Sequence, residues 1–359
     1  MYLKLILLLL LLGRPALSPA GWDLPSCNRV SGTGSVTFTQ DRGETLAPTV
    51  RDLHGIAYTY GLVALSAPNT LVAAHRGNIL ISENAGCRWQ RVDRVSEPIL
   101  NLVSAGRFAY GWTPNGGSLF RVTAGGAAGI NSPAAQIVGL GVDPASPQHL
   151  RVGDSAGIIW DSTDGGTTWR AIGAPPVNDS LLLVYQVAFD PKKLNHVVVG
   201  VANHGSFVSR NGGANWKQSE GFSRSTNIFS IAISPVRSSI VWTMGLDIVQ
   251  LDRGVPSQGR HIYRSEDGGL SFKPVVNHSR KVTLVNGPLL AAHSKNADVL
   301  YFVFGTFFAD YGTDLFYYNH RTKELTKTHN SYDDISSIAF SPADPELLYL
   351  GLTVEDGIQ

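Results

Sequence analysis

The sequence of 359 residues predicts an all-β fold, a seven-bladed β-propeller of four-stranded antiparallel blades. Three observations predict it. A glycine-rich turn closing on an aromatic residue recurs along the chain, a small-residue strand ending in a Pro turn recurs beside it, and no stretch shows a sustained helical period.

The chain opens with Lys4, an apolar run from Leu5 to Leu12, and small residues at Ser18 and Ala20. That is the layout of a secretory signal peptide over residues 1–20, and the run is far short of the roughly 20 residues that span a bilayer. Residues 21–359 are then one propeller domain of a secreted or periplasmic protein with no membrane span. Cleavage removes Lys4 and Arg14, leaving 27 basic against 28 acidic residues. A nucleic-acid binder usually carries a basic excess, so no nucleic-acid partner is expected. Cys27 and Cys87 are the only cysteines. An oxidising compartment permits a disulfide, which would pin the N-terminal segment onto the first repeat; two buried thiols are the alternative.

The turn is clearest as "STDGGTTW" (Ser162, Asp164, Trp169). It returns as "SRNGGANW" (Ser209, Asn211, Trp216) and "SEDGGLSF" (Ser265, Asp267, Phe272), and more loosely as "SENAGCRW" (Ser82, Trp89). "VTAGGAAG" at Val122 keeps only the glycines. The strand repeat reads "IVGLGVDP", "VYQVAFDP", "IFSIAISP" and "ISSIAFSP", starting at Ile137, Val184, Ile228 and Ile335. An apolar residue follows six places after each proline: Leu150, Val197, Val241 and Leu348. One unit is therefore a small-residue strand, a Pro turn, a second strand, a loop, a third strand, the glycine turn and a fourth strand. That is the size of a propeller blade, about 40–45 residues. First strands are expected near Ile56, Leu100, Ile137, Val184, Ile228, Leu289 and Ile335. The last unit stops after its second strand, so the strand-like residues 34–41 are expected to complete it and close the ring, removing exposed edges. Six blades is the alternative count.

The Ser-x-Asp-x-Gly-x-x-Trp turn resembles the Asp-box, or bacterial neuraminidase repeat, of sialidases, xyloglucan hydrolases, sortilin-type receptors and photosystem II assembly factors. The resemblance implies a propeller in which these residues are scaffolding. The carboxylate accepts backbone N–H groups within its turn, the glycines supply positive φ, and the aromatic plugs the gap between blades. A calcium loop needs six or more oxygen ligands, and each turn offers about one carboxylate; no metal and no cofactor is expected. The sialidase catalytic set does not carry over, because the Phe/Tyr-Arg-Ile-Pro segment is absent and Arg51 lacks its context. Tandem xyloglucan hydrolases use two rings, and this chain has room for one.

Insertions in a repeat fold mark its functional face. Two second-to-third-strand loops are long, residues 245–261 and 305–314. With the last blade they would gather Asp247, Asp252, Arg253, Phe307, Phe308, Asp310, Tyr311 and Glu355 on the face opposite the glycine turns. Aromatic platforms beside carboxylates suit sugar recognition. Asp247, Asp310 and Glu355 are the candidates should the protein hydrolyse glycosides, which needs two carboxylates roughly 5–9.5 Å apart. The expectation is a monomeric, non-catalytic binding module for an exported protein or a glycan. A glycoside hydrolase, or an assembly or activating factor for a protein partner, is the alternative.

Overall fold

The computed structural model describes residues 21–354 except 33–34, 50–56, 115, 178–181, 224, 306–310 and 332–333. The expected leader lies outside the described residues. Seven four-stranded antiparallel sheets form the ring. The third blade shows the pattern: Ile137–Asp143 inside, then Ser146–Asp154, Ile159–Ser162 and Arg170–Gly173 outwards. A close approach decides the inner composition. A Cβ on Gly139 would lie 1.9 Å from the Val187 carbonyl oxygen of the next blade, so only glycine fits.

Apolar burial lies between blades rather than in one central core. Seven clusters each join one blade to its neighbour, and the last joins the seventh blade to the first. Second strands read as continuous apolar runs because both their faces are covered. In Val197–Val201, Val197, Val199 and Val201 pack towards the third blade and Val198 towards the fifth.

Four turns between third and fourth strands share one hydrogen-bond scheme. In the Ser162 turn, Gly166 N–H donates to Ser162 Oγ (2.9 Å), Ser162 Oγ donates to Asp164 Oδ1 (2.8 Å), and Thr168 N–H donates to the same oxygen (2.9 Å). The Ser82, Ser209 and Ser265 turns repeat these contacts on Asn84, Asn211 and Asp267. The Thr168 hydroxyl and N–H, with the Ser162 hydroxyl, hold the Asp164 carboxyl down at about 2. Trp89 and Phe272 are buried in the inter-blade clusters, and Trp169 and Trp216 pack against them. The residue before each turn proline caps its own turn in the same manner, as Asp190 Oδ1 accepts from Lys192 N–H at 2.8 Å.

The ring closes as the sequence predicts, with one shift in register. Val36–Thr39 pairs with Leu348–Val354 along the edge opposite Asp334–Phe340. Ala57–Tyr58 extends that pairing, so the first blade's inner strand is Gly61–Ala64 and the expected start at Ile56 lies outside the described residues. A fifth turn of the same design follows Val36–Thr39. Gly43 N–H donates to Thr39 Oγ1 (2.9 Å), which donates to Asp41 Oδ1 (2.8 Å), and Thr45 N–H donates to that carboxylate (2.9 Å). Cys27 and Cys87 form a disulfide, with Cα atoms 5.7 Å apart. It fastens the closing segment to the first blade, where Ser31 N–H donates to the Cys87 carbonyl and Trp89 N–H to the Ser31 carbonyl, each at 2.9 Å.

Candidate functional site

The meander of each blade assigns its connections to two faces. First-to-second turns and the Ser-x-Asp turns share one face; second-to-third loops and blade-to-blade connections share the other, the loop face. At the centre of the loop face is a cavity of about 330 Å³ lined by all seven blades. Its aromatic lining is Tyr60, Trp112, Tyr185, Phe229 and Phe304. Its amide and hydroxyl-bearing aliphatic side chains are Asn101, Gln186, Ser230 and Ser336, and no Asp, Glu, Lys, Arg or His is among the described lining residues.

A bulge at the same place in four inner strands shapes this lining. Pairing with the second strand skips one residue between Ile137 and Gly139, Val184 and Gln186, Ile228 and Ser230, and Ile335 and Ser337. The unpaired residues are Val138, Tyr185, Phe229 and Ser336, and all four line the cavity. A bulge re-aims the side chain it carries, here towards the axis. These are the second letters of the strand repeats, where otherwise similar units read Val, Tyr, Phe and Ser. That variable letter was the available signal. Tyr185 and Phe229 meet at 4.5 Å between ring centroids, and burial raises the Tyr185 hydroxyl pKa. Three polar groups are committed to holding blades together. Gln186 Oε1 accepts from Ile231 N–H (2.7 Å), Ser230 Oγ donates to the Pro288 carbonyl (2.7 Å), and Ser336 Oγ donates to the Thr59 carbonyl (3.0 Å).

The described residues nominated from the long loops lie on the same face but are not among the described lining residues. Asp247 is buried and caps the short helix Ile248–Asp252, accepting from the backbone N–H and the side-chain amide of Gln250 at 3.1 Å each. Asp252 and Arg253 are exposed at the end of that helix. Tyr311, on the sixth-blade loop, donates to Asp314 Oδ2 (3.1 Å); buried Asp314 also holds Lys327 (3.1 Å) and His329 (2.8 Å). Tyr311 adjoins the cavity through Phe304, ring edge to ring face at 5.3 Å, and packs over Gly305. Phe307, Phe308, Asp310 and Glu355 lie outside the described residues. Asp247, Asp252 and Arg253 are thus brought together on one loop, with Tyr311 on the next. Among the described residues there is no cluster of three or more His, Cys, Asp or Glu suited to a metal ion, and no helix long and apolar enough to cross a membrane.

No family model matches the sequence. The chain is 25% identical over 275 residues to the xyloglucanase Xgh74A of Acetivibrio thermocellus, a match spanning 72% of this chain and 27% of the enzyme. It is similar in structure to a GH74 enzyme of Niastella koreensis (TM-score 0.57, 15% identity), covering 84% of this chain and 52% of that one. It is also similar to YCF48 bound to D1 peptide (TM-score 0.56, 12% identity), covering 92% of this chain and 100% of that one. These likenesses show a common propeller fold. The dispase autolysis-inducing protein of Streptomyces mobaraensis is 42% identical over 340 residues, which is 93% of this chain and 91% of that protein. On that near full-length identity, the chain belongs to the family of the dispase autolysis-inducing protein.

Proposed function

We propose that the protein is an exported, non-catalytic interaction module that binds a protein partner on its loop face and promotes the partner's self-cleavage. The observation that carries this reading is the 42% identity along almost the whole chain with a protein named for inducing the autolysis of dispase. The central cavity, with no charged side chain among its described lining residues, supports it, since a partner's surface loop can be seated there without desolvating an ion pair. Asp252, Arg253 and Tyr311 would form part of the rim that the partner meets outside the cavity. Binding acts through differential affinity: a ring that holds the cleavable conformation of a protease more tightly than the intact one raises that conformation's population. The competing reading is a glycoside hydrolase, favoured by the xyloglucanase identity over 72% of the chain. It requires two convergent carboxylates, and Asp247 is already engaged as a helix cap; release of reducing sugar from xyloglucan would establish it.

The test is direct. The purified protein is added to dispase, and intact dispase is followed on gels alongside its residual proteolytic activity. Loss of intact dispase should be faster than in dispase alone and should accelerate with added protein. An unchanged time course overturns the proposal.

A further inference from the structure

The loop-face cavity carries more information than its position. Its volume of about 330 Å³ is at the low end of the roughly 300–1,000 Å³ of ligand pockets, enough for one or two side chains with their backbone. Its lining side chains are mostly aliphatic and aromatic, its exposed wall is about equally polar and apolar, and no Asp, Glu, Lys, Arg or His is among the described lining residues. The polar groups divide sharply. Ser230, Ser336 and the Gln186 carbonyl oxygen are used between blades. The Asn101 carboxamide and the Gln186 NH2 group make no hydrogen bond to any described residue. Together they offer the donors and acceptor that one peptide group needs.

A sugar ring fits this inventory poorly. Each pyranose hydroxyl taken from water without a partner costs free energy, and the described lining side chains offer few partners beyond Asn101, Gln186 and the polar atoms of Tyr185 and Trp112. A charged side chain fits worse, because no described lining residue carries a charge to compensate it. The surroundings extend the apolar character. Four of the five large apolar side chains exposed among the described residues are Leu183, Val249, Leu251 and Tyr311, and each lies on a loop-face connection of the fourth to sixth blades.

We infer that the cavity is a specificity pocket for an uncharged aromatic or aliphatic side chain on an exposed loop of the partner protein. Val138, Tyr185, Phe229 and Ser336 set its shape, and Asn101 and Gln186 hydrogen-bond the backbone beside the inserted residue. This inference rests on the reading of the protein as a protein-binding module and names what that module recognises.

The experiment uses the double variant Asn101→Asp, Gln186→Glu. It keeps side-chain shape and the oxygen that accepts from Ile231 N–H, while placing carboxylates in the pocket. Binding to proteolytically inactivated dispase is measured for both proteins, with thermal melts to verify folding. Short capped dispase-derived peptides, centred on Phe or Leu and resubstituted with Asp or Lys, are titrated against the unmodified protein. An oligoxyloglucan is titrated in parallel. Expected are dispase binding weakened about tenfold or more in the double variant and peptide binding lost when the central residue is charged. Equal dispase binding by both proteins, or peptides indifferent to their central residue, overturns the pocket and leaves the protein-binding reading standing. Oligoxyloglucan binding that the double variant abolishes overturns it in favour of a sugar site. Apolar-centred peptides binding while dispase does not bind would retain the pocket and remove dispase as the partner. The peptide series needs no variant, so a double variant that fails to fold still leaves the inference open to refutation.

Discussion

His75 is buried with Nδ1 2.7 Å from the Thr59 hydroxyl, and it illustrates how much one side chain can tie the ring to pH. Burial, aided by the neighbouring Arg76 charge, lowers its pKa to about 4. An unfolded imidazole titrates near 6.5, so between these values the unfolded chain binds a proton that the folded ring refuses. The contribution is fully present above about pH 6.5 and is lost as pH falls towards 4, a change on the order of 3 kcal/mol. Urea midpoints at pH 7.5 and pH 5 should therefore differ more for the native protein than for His75→Gln. Equal pH dependence in the two would show that His75 is not the coupled group. The same scale explains which residues were legible in the sequence. The Ser162, Ser209 and Ser265 turns could be read because hydroxyl, carboxylate or carboxamide, and glycine must stand at fixed offsets to close their hydrogen bonds. "TQDRGETL" meets the same requirements with Thr39, Asp41 and Gly43 but lacks both the serine and the aromatic that mark the others. The bonding demands a hydroxyl, not a serine, and Leu46 packs where an aromatic would.

The N-terminal segment is the element on which closure depends, and it is held at several points. Val36–Thr39 pairs with the last strand, the Thr39 turn braces the chain just beyond that strand, and the Cys27–Cys87 bridge closes a loop with a sequence separation of 60 residues. The missing outer strand could be anticipated from an incomplete last repeat, because an unpaired sheet edge leaves backbone groups unsatisfied. The disulfide could not be decided from spacing, since only the folded ring fixes the distance between the two cysteines. A bridge across a loop of this length stabilises by about 2–4 kcal/mol, mainly by restricting the unfolded chain. The variant Cys27→Ser, Cys87→Ser should unfold at a correspondingly lower urea midpoint. It should also be clipped by proteases in the N-terminal segment while the blades stay intact, because the bridge braces that segment directly. Unchanged stability and clipping would mean that strand pairing alone holds the segment. The cavity lay further beyond the sequence. Its lining comes from positions scattered across seven repeats, and a bulge that turns Tyr185 or Phe229 towards the axis leaves the surrounding letters looking like any buried strand.

At the scale of the whole ring, stability is distributed over seven inter-blade clusters, and one of them needs both ends of the sequence. Val36 and Phe38 from the N-terminal strand pack with Tyr349 of the last strand and with Leu71 and Trp89 of the first blade. Each blade is covered on both sides only while that cluster exists; without it, the first and seventh blades each expose an apolar face. Contacts between residues more than 300 positions apart, such as Val36 with Gly351, form against a large loop-closure cost and are expected late in folding. A chain beginning at Ala57 should therefore form blades but not a closed ring. It would leave unpaired N–H and C=O groups along Leu348 to Gly351 next to exposed apolar surface, a template for association. Sedimentation should show the chain from Gly21 onward as monomeric and the shortened chain forming concentration-dependent oligomers. Hydrogen exchange should be faster at Leu348 to Gly351, the stretch opposite the removed strand, than in the third and fourth blades on the far side of the ring. A shortened chain that stays monomeric with protected amides there would mean that the blades close without the strand. The central cavity would be affected too: Ser336 is tied to the Thr59 carbonyl just past the cut, and the seventh blade is one of its walls. Partner binding should then fall together with closure, which links the loop-face site to the integrity of the ring.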